Sequence, residues 1–249
     1  MTGFSGLTPG SDYYVSGTAG EITTTPPTNA RYVGRADSIS SLIILPNPPV
    51  AGSPLKSLCN GRLTLTTAVP VTSADVTAAT TIYFTPYKGN LLALYDGSTK
   101  WTVYPLTEIS LALGTLTNAL PDDVFVYDSA GTPTLEFLAW TNGTTRATAL
   151  VTQDGILSKS GATTRRYLGT FYTTATTTTE DSYAKRFLWN YYNRDRRAMR
   201  VVESTDTWVY NTPGWRQTNA STANQLDYVV GLAEVTLYVE VMHTCRNTN

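Results

Sequence analysis

The chain has 249 residues, of which 15% are charged: 18 basic and 19 acidic side chains, with one histidine and two cysteines. A net charge of −1 gives no global drive toward nucleic acid or an anionic membrane. The length suffices to bury a core, and Thr, Ser, Gly and Tyr in place of the charge typical of soluble domains (roughly 25%) favour strands over helices.

The first segment, 1–45, reads as a small β module. Pro9-Gly10 signals a turn, and short strands are expected over 13–15, 21–25, 31–34 and 41–45. Pro26-Pro27 ends the second of these, because proline cannot donate to a sheet ladder. The start of the chain has no charged run followed by an apolar one, so no signal peptide is expected. Apolar stretches such as 42–45 are too short to span a bilayer. The segment 46–60, with Pro46, Pro48, Pro49 and Pro54, reads as a stiff linker or an arm laid across a neighbour.

The larger segment, 61–249, carries the clearest strand signals. Arg62-Leu63-Thr64-Leu65-Thr66 alternates and predicts a strand with one wet face. A strand over 81–85 ends at Pro86. Hairpins are expected around Asp96-Gly97, around Asp128 to Gly131 and around Asp154-Gly155. A short helix is expected over 106–113, with Thr107 as its cap. Val235, Leu237, Val239 and Val241 alternate with polar residues and predict a terminal strand. The fold class is therefore all-β: a small N-terminal module, a Pro-rich linker, and a larger antiparallel sandwich or barrel-like domain.

Catalytic signals are sparse. His243 and Cys245 sit near the C-terminus, with nothing to orient them as a nucleophile pair. Cys59 and Cys245 form no metal-binding spacing and read as unpaired thiols. The adjacent pairs Asp122-Asp123 and Glu180-Asp181 would point to opposite faces of a strand, and the first reads as a turn. Asp96, Asp122, Asp154 and Asp206 are the carboxylates for any glycan-hydrolysing role, but turn carboxylates usually cap backbone amides. No phosphate loop, catalytic residue, metal site or cofactor is expected.

The sharpest local anomaly is the segment 185–200, where basic and aromatic residues interleave. Its candidates are Arg186, Phe187, Trp189, Tyr191, Tyr192, Arg194 and Arg197. Arg, Trp and Tyr are the usual anchors of subunit interfaces, so interface or core packing ranks first. Contact with a glycan ranks second, and nucleic acid third because the chain is neutral overall.

Two stretches resemble virion proteins of tailed phages. Gly6-Leu7-Thr8-Pro9-Gly10, Tyr13-Tyr14, Thr23 to Pro26 and Tyr32 to Ala36 look like a small β module near the ends of phage fibre and capsid-decorating proteins. In the larger segment the likeness lies in Gly61 to Thr66, Tyr83 to Tyr87, Leu94 to Gly97, Arg165 to Thr170 and Trp189 to Arg194. These look like head-fibre, tail-fibre or spike proteins. The resemblance implies a non-enzymatic structural protein of the bacteriophage virion, trimeric and attached to capsid or tail components. Host-surface glycan would be a further partner, with no membrane involved. The alternative is a carbohydrate-binding or glycan-hydrolysing spike domain.

Overall fold

The structure is a computed structural model that describes residues 5–19, 21–26, 32–44, 56–209, 211 and 213–233. The fold is all-β, as the composition and hairpin signals indicate. The chain forms two compact units, Met1–Ser53 and Pro54–Asn249.

The first unit is a four-stranded antiparallel sheet in the order β2-β1-β3-β4, with β1 at Asp12–Val15, β2 at Ile22–Thr23, β3 at Tyr32–Ala36 and β4 at Leu42–Ile44. Leu7, Tyr13 and Ala36 form its small core. The Tyr13 hydroxyl accepts from the Thr8 amide at 2.8 Å, which ties the entering chain to the sheet.

The second unit begins with β5 (Gly61–Thr64), β6 (Val76–Ala79), β7 (Thr81–Pro86), β8 (Leu91–Tyr95), β9 (Trp101–Pro105) and β10 (Ile109–Ala112). It continues through β11 (Pro121–Ser129), β12 (Thr132–Ala139), β13 (Leu150–Gln153), β14 (Ile156–Lys159) and β15 (Ala162–Ala175). The last strands are β16 (Thr178–Asp181), β17 (Lys185–Arg186), β18 (Leu188–Asn190) and β19 (Asp227–Tyr228). Ten of these form one sheet along β12-β11-β15-β16-β17-β19, with β18 also paired to β15. β10-β7-β5 make a three-stranded sheet and β8-β9 a hairpin. The main core gathers residues of both larger sheets and the hairpin, with Leu63, Phe84, Leu94, Val124, Leu168 and Phe171 among its most buried members.

Turn chemistry sets the hairpins. Ala130 and Gly131 (φ 50° and 90°) turn β11 into β12, and Asp154 and Gly155 (φ 52° and 84°) turn β13 into β14. Positive φ at both central residues matches the twist of the flanking strands.

Several expectations need correction. Residues 106–113 are not helical: Ile109 to Ala112 are β10, paired with β7. Leu106 and Leu113 are buried at either end of the segment, while Ile109 and Leu111 pack on the core, with Ser110 and Ala112 exposed between them. The period is two, not 3.6. β5 has no wet face, since Arg62 and Thr64 are as buried as Leu63 and Leu65. Asp122-Asp123 is not a turn but part of β11, with both residues buried. Of the expected linker, 46–55 lies outside the described residues, while 56–60 belongs to the second unit. The expected terminal strand, His243 and Cys245 also lie outside the described residues.

Candidate functional site

The site is built around β15 and β18. Gly169 lies opposite Asn190 in the ladder, and a Cβ there would collide with the Trp189 carbonyl oxygen and Leu63. Asn190 is buried and acts as a surrogate strand. Its Oδ1 accepts from the Leu63 amide at 2.7 Å and its Nδ2 donates to the Leu63 carbonyl at 3.1 Å. β18 is thereby locked to the back of β5.

The chain then leaves the sheet, and side chains replace the ladder. Asn193, at φ 49°, donates from Nδ2 to the carbonyls of Cys59 and Gly61. Arg62 returns a bond from Nη1 to the Asn193 carbonyl at 2.6 Å. Asp181 clamps two arginines through separate oxygens, Arg186 and Arg197, each at 3.0 Å. Arg186 also donates to the Ala198 carbonyl, and Arg197 to the carbonyl and hydroxyl of Thr72. The coil 193–200 is thus fastened from both sides by guanidinium groups, each of which offers several donors in a fixed fork.

The seven residues singled out in the sequence divide into two groups. Arg186, Trp189, Arg194 and Arg197 line one cavity of about 270 Å³. Arg194 is exposed, with its guanidinium 4.8 Å over the Trp189 ring and its Nε donating to the Tyr191 carbonyl. Phe187, Tyr191 and Tyr192 face elsewhere. Phe187 is buried against Tyr172, with ring centroids 5.0 Å apart. Tyr191 packs between the rings of Tyr167 and Trp189. Tyr192 accepts from Arg166 Nε, and burial pushes its phenol pKa up.

Sequence reasoning missed Arg62, Asp181 and Tyr228. Arg62 and Tyr228 line the same cavity, and Asp181 stands behind its wall. Burial lowers the pKa of Arg62, and the Arg197 charge lowers it further. Arg62 carried one signal, a cation within an apolar strand pattern, but it read as the solvent side of β5.

A second polar cluster lies close to Trp189. Asp123 accepts from Arg146 Nε at 2.7 Å and from the Thr170 hydroxyl at 2.7 Å, and Thr170 meets the Tyr167 hydroxyl at 2.6 Å. Arg146 also donates to the Gly231 carbonyl. A Cβ at Gly231 would meet Tyr167, Thr170 and Trp189, so only glycine lets the chain pass so close. The cluster is satisfied internally.

Asp96, Asp154 and Asp206 each sit in a setting of their own. Asp96 caps its own turn, accepting from the amides of Ser98, Thr99 and Lys100. Asp154 accepts from the Trp101 indole at 2.8 Å. Asp206 is exposed on the coil after 200. Among the described residues, no three His, Cys, Asp or Glu side chains are placed to hold a metal ion.

Compared with known proteins, the chain matches no family model, no curated protein and no solved structure.

Proposed function

We propose that this chain is a non-enzymatic structural subunit of a tailed-phage virion, a fibre, spike or capsid-decorating protein that works by assembling with copies of itself. One observation carries the assembly reading. After β18 the chain runs as coil outside any strand from 201 to 217, among the described residues, and exposes large apolar side chains. Val209 is 79% exposed and Trp215 fully so, with Val202 and Trp208 also open to solvent. Single exposed apolar residues are ordinary, but four in one short irregular segment support the reading of a surface that another chain covers. Tryptophan is the residue most enriched among interface hot spots. A near-neutral chain adds little self-repulsion to oppose such packing. The virion setting rests on the motif resemblance, and a trimer is the assembly it implies.

The test is mass by sedimentation equilibrium. The expected species has three times the chain mass, and Trp215→Glu should dissociate it while leaving the far-ultraviolet circular dichroism unchanged. A monomer at micromolar concentration in the unaltered protein refutes the reading. Carbohydrate binding is the second reading, favoured by the arginine-lined cavity beside Trp189. Its hydrolytic form predicts shortening of host polysaccharide, lost on Asp→Asn substitution.

A further inference from the structure

The cavity beside Trp189 has unbalanced charge. Four guanidinium groups line it, those of Arg62, Arg186, Arg194 and Arg197. Two carboxylates answer them: Asp195 in the wall, and Asp181 behind it, which holds Arg186 and Arg197. Two positive charges remain. Arg62 is the most informative of the four. It is 4% exposed, its Nη1 is engaged by a neutral carbonyl, and its buried Nε has no hydrogen-bond partner in the protein. Asp195 and Asp181 offset its charge from a distance, but neither makes an ion pair with it, and a buried guanidinium held without a contact ion pair is costly.

Apart from Asn190, whose amide is held by Leu63, the rest of the wall is largely apolar. Leu188, Met199, Val229 and Val230 contribute to it, with Tyr228 about half exposed. A volume of about 270 Å³ lies just below the ~300 Å³ at which small-molecule sites usually begin. It has room for one compact unit. A bare inorganic anion would satisfy the arginines but leave the apolar wall unused. Single-stranded nucleic acid needs a groove that tracks its backbone, and two of the four cations are already committed to Asp181.

We infer that this cavity binds the carboxylate-bearing ring of an acidic sugar, with Arg194 donating to the carboxylate, Arg62 adding its charge from the wall and the apolar side chains receiving the ring. The inference does not depend on self-assembly.

Isothermal titration of the full chain with glucuronate, glucose, inorganic sulfate and an oligothymidylate tests it. Glucuronate should saturate one site per chain. Glucose and sulfate should each bind at least about tenfold more weakly, the factor that one lost charge-assisted hydrogen bond produces. Arg194 is exposed and contributes only ring stacking and one hydrogen bond, so Arg194→Gln should lower the melting temperature by no more than about 4 °C and weaken glucuronate by at least about tenfold. Sulfate binding as tightly as glucuronate would reduce the cavity to a simple anion site and overturn the sugar assignment. Tighter binding of the oligothymidylate would replace it with nucleic acid. Absence of glucuronate binding at millimolar concentration, or unaltered binding by Arg194→Gln, would also sink it. The oligomer is weighed in parallel: a trimer that ignores glucuronate refutes only this inference, and a monomer that binds it refutes only the assembly.

Discussion

Asp122 should make the protein less stable as pH rises toward neutrality, opposite to the usual behaviour of a carboxylate. Asp122 is fully buried in β11, a strand paired on both sides. By the two-residue period of a strand it shares a face with Val124 and Val126, both in the main core. Its cross-strand neighbours are Ala139 and Phe171. Neither of its oxygens has a hydrogen-bond partner in the protein. Burial, and then the neighbouring Asp123 carboxylate, raise its pKa from 3.8 to about 7. The folded state therefore keeps a proton that the unfolded chain releases, and stability must fall between pH 3.8 and about 7, then level off. A shift of about three pKa units at ~1.4 kcal/mol each gives a loss of up to about 4 kcal/mol. For a chain of this size that corresponds to roughly 8–16 °C in melting temperature. Asp122→Asn keeps the shape and cannot ionise. The assay is thermal unfolding of both proteins from pH 4 to 8. The original protein should lose stability relative to Asp122→Asn across that window, and the variant should be the more stable at pH 8. Parallel curves would show that Asp122 is ionised in the folded state, and the reasoning from burial would fail.

Other outcomes follow from single contacts. Burial pushes the Cys59 thiol up to about 11, so in a Cys245→Ser background it should resist maleimide at neutral pH and react fully once the chain is denatured. Asp181→Asn leaves Arg186 and Arg197 without their shared carboxylate and should cost about 3 kcal/mol in urea unfolding, the low end for breaking a buried ion pair. Trp189→Ala should cost about 3 kcal/mol, since its ring packs on Tyr167, Tyr191 and Arg194; an unchanged melting midpoint would mean the ring is not part of the packing.

The hairpins were legible because their turns are chemically specific. Asp96-Gly97, Ala130-Gly131 and Asp154-Gly155 each mark a reversal, and strands lie where alternation runs up to them. The central strand was not legible. β15 is 14 residues long, and Arg166 through Phe171 are buried without a break. A strand covered on both faces shows no alternation, and polar residues such as Arg166 and Thr170 break up its apolar run. The same ambiguity hid the burial of β5, where Arg62 and Thr64 occupy the polar phase of the pattern yet are buried, Arg62 in the wall of the cavity and Thr64 on the carbonyl of Val69. The basic and aromatic segment was found by composition alone. Composition could not show that Tyr192 and Phe187 turn away from Trp189, because that depends on strands far off in sequence.

The arginines explain how irregular chain is held against so much sheet. Coil backbone has carbonyls with no ladder to join, and a buried carbonyl needs a donor. Arg166 supplies several at once. It donates to the carbonyls of Lys56, Leu58 and Ala93 near 2.9 Å and to that of Ser57 at 3.3 Å, anchoring the first residues of the second unit to β15. Arg186 and Arg197 do the same for the coil 193–200, and Arg146 for the chain at Gly231. Most of the charge that suggested a binding surface is therefore spent inside the fold. Among its described residues the second unit leaves open, besides scattered single apolar side chains, two features of different kinds: the partly unanswered cations around Arg62 and Arg194, and the apolar side chains of 201–217. The first suits a small anion with an apolar body, and the second suits another protein surface, so ligand binding and self-assembly would use separate parts of the unit and can be separated by Arg194→Gln and Trp215→Glu.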